Sequence, residues 1–201
     1  MNEYQVDKPR VRRAFDRAAA TYDQYARLQA MVREDMLERL SGIRIEPRAV
    51  LDLGCGTGAA MRHLRQLYPR AQILGLDFSQ GMLGEARRWR PWMRKPLWVC
   101  GDMERLPLKS ASMDLVFSSL SVQWGNDLAA TLAEVRRVLK PSGVLMFSSL
   151  GPDTLKELRS AWQSADENQY AHVNMFLDMH DVGDALCMLL FYQLFWNVNY
   201  F

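Results

Sequence analysis

"AVLDLGCGTG", residues 49–58, decides the fold. An apolar run carrying Asp52 gives way at once to Gly54, Gly56 and Gly58. A short apolar run bounded by Pro47 and by glycines reads as a buried strand, and "AAMRHLRQL" beyond it reads as a helix. Strand 1 therefore ends at Leu53, and the next helix opens near Thr57. Between them the backbone must turn sharply and leave room for something to lie against it. Glycine permits both positive φ and close approach. The free N–H groups at a helix start favour oxygen-rich ligands. The carboxyl end of a central parallel strand is also where open α/β sheets bind ligands.

On either side of this turn the pattern alternates. Strands read at about 49–53, 71–76, 97–100, 114–118 and 143–149, and helices at about 57–68, 80–90 and 126–139. "KPSG", residues 140–143, is a helix stop followed by a tight turn. Strand and helix repeated in this way give an α/β fold, a doubly wound, mainly parallel sheet with helices on both faces. Upstream, residues 7–40 read as helical, with Val11, Phe15, Ala18, Tyr22 and Tyr25 three or four apart. A break near Ala20 and Thr21 divides that segment, with Thr21 as the second cap. A further helix spans about 152–165, and Asp178 caps another over "MHDVGDAL".

The 201 residues suit one domain, organised as an N-terminal helical lid (1–42), a core (47–150), a helical segment on the substrate side (151–186) and an apolar tail (187–201). Net charge is +2, too small to argue for nucleic acid. Cys55, Cys100 and Cys187 are odd in number and far apart, so neither a disulfide framework nor a zinc site is expected, and a cytoplasmic location fits. His172 and His180, with Asp178 and Asp181, match no metal-ligand spacing, and His63 reads as a surface residue. No secretory signal and no membrane span are expected.

The glycines are spaced G-x-G-x-G, unlike the G-x-G-x-x-G of nicotinamide dinucleotide folds. "ILGLD" places Asp77 roughly 20 residues beyond them, where an acid accepts hydrogen bonds from ribose hydroxyls. "VCGD" offers Asp102 to an exocyclic amine, and Met82 and Met103 can flank a flat ring. A molecule with a ribose and an adenine, but no pyrophosphate, fits such a loop.

At these residues the sequence resembles the class I S-adenosylmethionine-dependent methyltransferases, with a Rossmann-like core. "LDLGCGTG", "GLDFSQGML", "GDMERLPLKSASMDLVFSS" and "EVRRVLKPSGVLMFSS" follow that superfamily's motif order. The resemblance implies S-adenosyl-L-methionine as cofactor. Asp52, Gly54 and Gly56 would lie under its methionine portion and Asp77 at its ribose. Phe78 and Met82 would pack on the adenine, and Asp102 with Met103 would meet its edge. Ser118 and Ser119 would line the methyl-transfer side.

"VRRAFDRAAATYDQYARLQ", "SVQW" (121–124) and "FLDMHD" (176–181) narrow the resemblance to the malonyl-acyl-carrier-protein O-methyltransferases of biotin biosynthesis. That family implies methylation of the free carboxylate of a malonyl thioester on an acyl carrier protein, without nucleic acid or membrane. No catalytic residue is implied by name; Tyr22, Ser119, Gln123 and Trp124 are positioning candidates. The family continues past "GDAL" with further strands, so the C-terminal strands here are expected to be truncated or altered. Two alternatives stay open: a methyltransferase for another small molecule, and an assembly or modifying factor with this fold that transfers no methyl group.

Two segments fall outside these motifs. "RRWRPWMRK", residues 87–95, reads as a solvated helix end, with docking of an acidic carrier protein as the alternative. "CMLLFYQLFWNVNYF", residues 187–201, has no charged residue. It reads as a buried terminal helix or strand; an altered tail or a membrane-contacting tail are the alternatives.

Overall fold

The computed structural model describes residues 6–92, 95–165, 176 and 178–188. Its strands are β1 (Ala49–Leu53), β2 (Gln72–Asp77), β3 (Leu97–Cys100), β4 (Met113–Ser118) and β5 (Leu139–Phe147). They form a parallel sheet in the order β3-β2-β1-β4-β5. The helices are α1 (Lys8–Ala18), α2 (Tyr22–Tyr25), α3 (Arg27–Ser41), α4 (Ala59–Leu67), α5 (Gln80–Ala86), α6 (Leu128–Val138), α7 (Lys156–Ala165) and α8 (Met179–Met188).

The apolar runs in the strands are continuous because both faces of the sheet are covered. Neighbouring residues point to opposite faces. Val50, Ile73, Leu115 and Val144 meet Val32, Met36 and Leu40 of α3 and Met61 and Leu64 of α4. Leu51, Leu74, Val116 and Leu145 meet Leu132, Val135 and Val138 of α6 and Val182 and Leu186 of α8. Each of these fully buried aliphatic side chains contributes about 1.5–3 kcal/mol. α3 is thus part of the core, whereas α1 and α2 bury no residue.

Three boundaries differ from the sequence reading. β5 begins at Leu139, opposite Met113, and the register then jumps to Leu115 opposite Val144. "KPSG" is looped out inside the strand, with Ser142 at φ 65°. α4 begins at Ala59 because Gly58, its cap, sits at φ 79°. The N-terminal segment breaks at Thr21 as expected and again at Ala26, so α2 is a single turn. Thr21 occupies the cap position without a side-chain cap bond.

From β3 the chain passes over β2 and β1 to begin β4 on the far side. The strand order therefore reverses between β1 and β4, which opens a crevice at their carboxyl ends. The amino ends are closed by Asp114, which accepts the N–H groups of Arg48 and Ala49 (both 2.9 Å) and pairs with Lys140 (2.8 Å). Readings that concern Met93, Arg94, His172 and residues 189–201 lie outside the described residues.

Candidate functional site

The crevice is a cavity walled by the ends of four strands and roofed by α1 and α2. Asp52, Gly54 and Gly56 come from the β1 turn, and Asp77, Phe78 and Met82 from the end of β2 and α5. Asp102 and Met103 follow β3, Ser119 and Trp124 follow β4, and Tyr22 reaches down from α2. Of the cofactor-binding and positioning candidates named from the sequence, Ser118 and Gln123 stand off the wall. Ser118 is fully buried, and its hydroxyl donates to the Leu53 carbonyl at 2.9 Å, joining β4 to β1. Gln123 turns its amide back onto the Leu120 carbonyl (2.7 Å), because the 3-10 turn Val122–Trp124 closes on itself there.

The loop is held open by its own backbone. Gly54, Gly56 and Gly58 all have positive φ. The Gly56 N–H donates to Asp77 Oδ2 and the Ser79 N–H to Asp77 Oδ1, both at 2.8 Å. Burial pushes the Asp77 carboxyl above its usual range, and these two N–H donors partly restore it. Asp52 is 2% exposed, and its Oδ2 has no partner. Burial, then the nearby Asp77 charge, raise it to about 7, with Arg33 pulling the other way.

Sequence reasoning named Tyr22 but missed Arg33 and Lys8, which the N-terminal helices also deliver. Arg33 of α3 lines the cavity and carries a buried Nε without a partner. Lys8 of α1 reaches Asp102 Oδ2 and Glu104 Oε2, each at 2.7 Å. Burial disfavours its charge, but those two hydrogen bonds win and raise its pKa. Asp102 therefore carries a cation already, and its Oδ1 accepts the Glu104 N–H at 3.0 Å. No local pattern announces Lys8 or Arg33, since both meet the site only through tertiary packing.

The roof is fastened at several points. Asp16 accepts the Ser79 hydroxyl (2.6 Å) and the Gly81 N–H (2.8 Å), which hold its carboxyl low. Thr57 donates to Asp23 at 2.8 Å. Phe15 makes edge contacts with Phe78 (5.9 Å) and Trp124 (5.3 Å) and lies 6.1 Å from Tyr22. Burial, followed by the charges of Asp23 and Asp77, raises the Tyr22 phenol, so it stays protonated as a donor.

A Cβ on Gly81 would lie 2.8 Å from the Asp16 backbone. Gly81→Ala gains about 1 kcal/mol of helix propensity in α5. Overpacking against α1 costs about 1–3 kcal/mol. The expected outcome is a displaced α1, seen as faster trypsin cleavage at Arg12 and Arg13 with little change in global stability. Unchanged cleavage would show that α1 does not rest there.

Among the described residues, the buried side-chain polar atoms without a partner are Arg33 Nε, Asp52 Oδ2, Ser119 Oγ and Gln123 Oε1. Arg33, Asp52 and Ser119 line this one cavity, and Gln123 adjoins it. Native proteins satisfy nearly all such atoms, so their clustering marks a space shaped for a polar ligand. Asp52 and Arg33 carry opposite charge, which suits the two ends of an amino-acid zwitterion. Asp77 and the Gly54–Gly56 backbone suit a ribose, and Phe78, Met82 and Met103 give apolar surface for a flat ring. The residues present thus fit an amino-acid-bearing nucleoside. Among these same described residues, no helix is long and apolar enough to cross a membrane.

A family model described as "Methyltransferase domain" matches residues 51–147. The malonyl-[acyl-carrier protein] O-methyltransferase of Methylovorus sp. (strain MP688) is 50% identical over 98% of this chain and 68% of its own length. The enzyme of the same name from Gallionella capsiferriformans (strain ES-2) is 48% identical, over 100% of this chain and 70% of its own length. That from Laribacter hongkongensis (strain HLHK9) is 51% identical over 91% of this chain and 64% of its own length. Among solved structures, the Haloferax volcanii complex of a methyltransferase with the Trm112 methyltransferase activator matches at a TM-score of 0.70. Its identity is 26%, over 87% of this chain and 75% of that one. A methyltransferase of Thermotoga maritima matches in fold at a TM-score of 0.61, with 23% identity over 87% of this chain and 78% of that one.

Proposed function

We infer the function from one premise: this chain belongs to the S-adenosylmethionine-dependent methyltransferases and, within them, to the malonyl-acyl-carrier-protein O-methyltransferase family. Its reaction is methylation of the free carboxylate of a malonyl thioester borne on an acyl carrier protein, in biotin biosynthesis and in the cytosol. The observation that carries the reading is the cluster of unpartnered polar atoms around the glycine loop.

When bound, S-adenosyl-L-methionine supplies a methyl carbon activated by a positively charged sulfur. Asp52 and Arg33 would hold its amino-acid end, Asp77 its ribose, and Phe78, Met82 and Met103 its adenine, with Asp102 and its Lys8 partner near the ring. A malonyl carboxylate is ionised at neutral pH, so the chain need supply no general base. Its work is positioning and exclusion of water. The Tyr22 phenol and the Ser119 hydroxyl are the donors available to orient the carboxylate. Phe15 and Trp124 exclude water above it. α1 and α2 form the lid, and α3 anchors them to the core. Ser118 supports the site from behind, and Gln123 acts through the turn that aims Trp124.

Asp77→Ala removes the acceptor for the Gly56 and Ser79 N–H groups as well as the ribose partner. S-adenosylhomocysteine is expected to bind this variant more weakly by about 1–3 kcal/mol by calorimetry. Wild-type protein is expected to add the mass of one methyl for one proton to malonyl-acyl carrier protein. Equal binding by Asp77→Ala and wild type would move the nucleoside elsewhere. Tight binding with no mass gain would remove the malonyl substrate.

A further inference from the structure

α1 holds Lys8, Arg10, Arg12, Arg13 and Arg17 against a single acid, Asp16. This one helix carries more positive charge than the whole chain, whose net charge is +2. Its inner side is already committed: Lys8 to Asp102 and Glu104, Phe15 to Phe78 and Trp124, Asp16 to Ser79 and Gly81. Arg10, Arg13 and Arg17 are spaced by three and four residues, so they share one helix face, turned away from Phe15. All three are exposed, and among the described residues their side chains have no hydrogen-bond or ion-pair partner. Arg12, by contrast, lies 4.0 Å from Asp16.

A folding rationale for this stripe is missing. Like charges at such spacings destabilise an isolated helix by about 0.2–0.5 kcal/mol per pair. An unpaired row of guanidinium groups does suit a carboxylate-rich surface, because Arg binds carboxylates in a bidentate fork. Location narrows the partner further. α1 forms part of the roof of the cavity, so whatever docks on its outer face lies over the cavity. The other basic stretch, Arg87 to Lys95, cannot serve that end. Its described residues, Arg87 to Trp92 and Lys95, lie between the C-terminus of α5 and the start of β3, at the amino ends of the strands, away from the cavity. There Arg88 pairs with Glu85 (2.7 Å), and Trp89 packs against the core beneath Arg62.

We propose that Arg10, Arg13 and Arg17 form the docking stripe for an acidic face of the acyl carrier protein, which delivers its thioester past α1 into the cavity. This rests on the malonyl-carrier reading above. Exposed charges of this kind act chiefly on encounter and register, and they are screened by salt. The stripe therefore governs capture of the carrier and leaves the cavity chemistry alone.

The test replaces all three residues in the full chain (Arg10→Glu, Arg13→Glu, Arg17→Glu), with an Arg→Gln triple as a milder companion. Affinity for labelled malonyl-acyl carrier protein, and kcat/KM on it, are expected to fall by about 10- to 100-fold in the Glu triple, and less in the Gln triple. The kcat/KM on malonyl-N-acetylcysteamine, which has no protein surface, is expected to hold within about twofold, as is S-adenosylhomocysteine affinity. Raising the ionic strength should weaken wild type toward the variant on the carrier substrate only. Equal carrier binding by wild type and the Glu triple, or none by either, overturns the docking stripe. So does a wild type that binds anionic vesicles or duplex DNA through these arginines while ignoring the carrier. A parallel loss on the small thioester overturns it too, since the helix would then have moved. A wild type that captures the carrier through the stripe but methylates neither thioester overturns the functional reading and leaves the stripe standing.

Discussion

Asp52→Asn is expected to abolish a loss of about 4 kcal/mol in folding stability that the unliganded wild type suffers between about pH 4 and about pH 8. Asp52 is buried, has an unpartnered Oδ2 and titrates at about 7 instead of 3.8. The folded state then holds the proton more tightly than the unfolded state. Stability from this group is fully present below the unfolded value near 3.8 and is lost as pH rises through about 7. Asp16, Asp114 and Glu134 are held low and act with the opposite sign: their stability is fully present above their unfolded values and is lost as pH falls through the lower folded ones. The difference between wild type and Asp52→Asn reads Asp52 together with its coupling to Asp77, because the remaining carboxyls are common to both. Urea unfolding at a series of pH values reads it. Parallel curves for the two proteins would show that Asp52 is solvated or paired.

The same charge links stability to the ligand. A ligand ammonium against Asp52 restores its low pKa, so binding between about pH 5 and about pH 7 expels a proton. Calorimetry with S-adenosylhomocysteine in buffers of different ionisation enthalpy is expected to detect that proton in wild type and not in Asp52→Asn. The variant should also bind about 1.5–3 kcal/mol more weakly, the scale of a hydrogen bond to a charged group.

Gly54→Ala is the second large effect, and Gly56→Ala is its control. Both glycines have positive φ, at 72° and 53°, a conformation that costs an L-residue about 1–2 kcal/mol. They differ in what surrounds them. A Cβ at Gly54 would lie 2.3 Å from Ser121 Oγ and 2.4 Å from Ser121 Cβ, whereas one at Gly56 meets nothing within 4 Å. Ser121 cannot simply swing away, because its hydroxyl bonds the carbonyls of Gly54 and Ser119 (3.1 and 3.0 Å). Overpacking adds about 1–3 kcal/mol, so Gly54→Ala is expected to cost about 2–5 kcal/mol and Gly56→Ala about 1–2. That is a large part of the roughly 5–15 kcal/mol that holds a domain together. Denaturant midpoints check the ranking, and equal losses would place the two turns in equivalent surroundings.

These two glycines also show where reading the sequence stops. "GCGTG" announces a turn with positive φ at both positions, because only glycine enters that region cheaply. It does not say that Ser121, 67 residues further on, closes over one of them. β5 makes the same point. "VLMF" marks a buried strand, but Leu139 joins the sheet ahead of it only because Met113 is there to pair with, and "KPSG" bulges out to absorb the difference. Ser118 ends "DLVFS", and the resemblance set it on the methyl-transfer side; instead its hydroxyl turns inward to the Leu53 carbonyl.

By itself the sequence determined the strands, their parallel pairing and the acids at three successive strand ends, because apolar period, glycine and turn chemistry are properties of neighbouring residues. The tertiary structure alone decided that Arg33 and Asp52 share one cavity, that Lys8 already holds Asp102, and that three arginines of α1 face outward above that cavity. Those relations join segments far apart in the chain. Burial and Coulomb interaction depend on distance in space, which no local pattern carries.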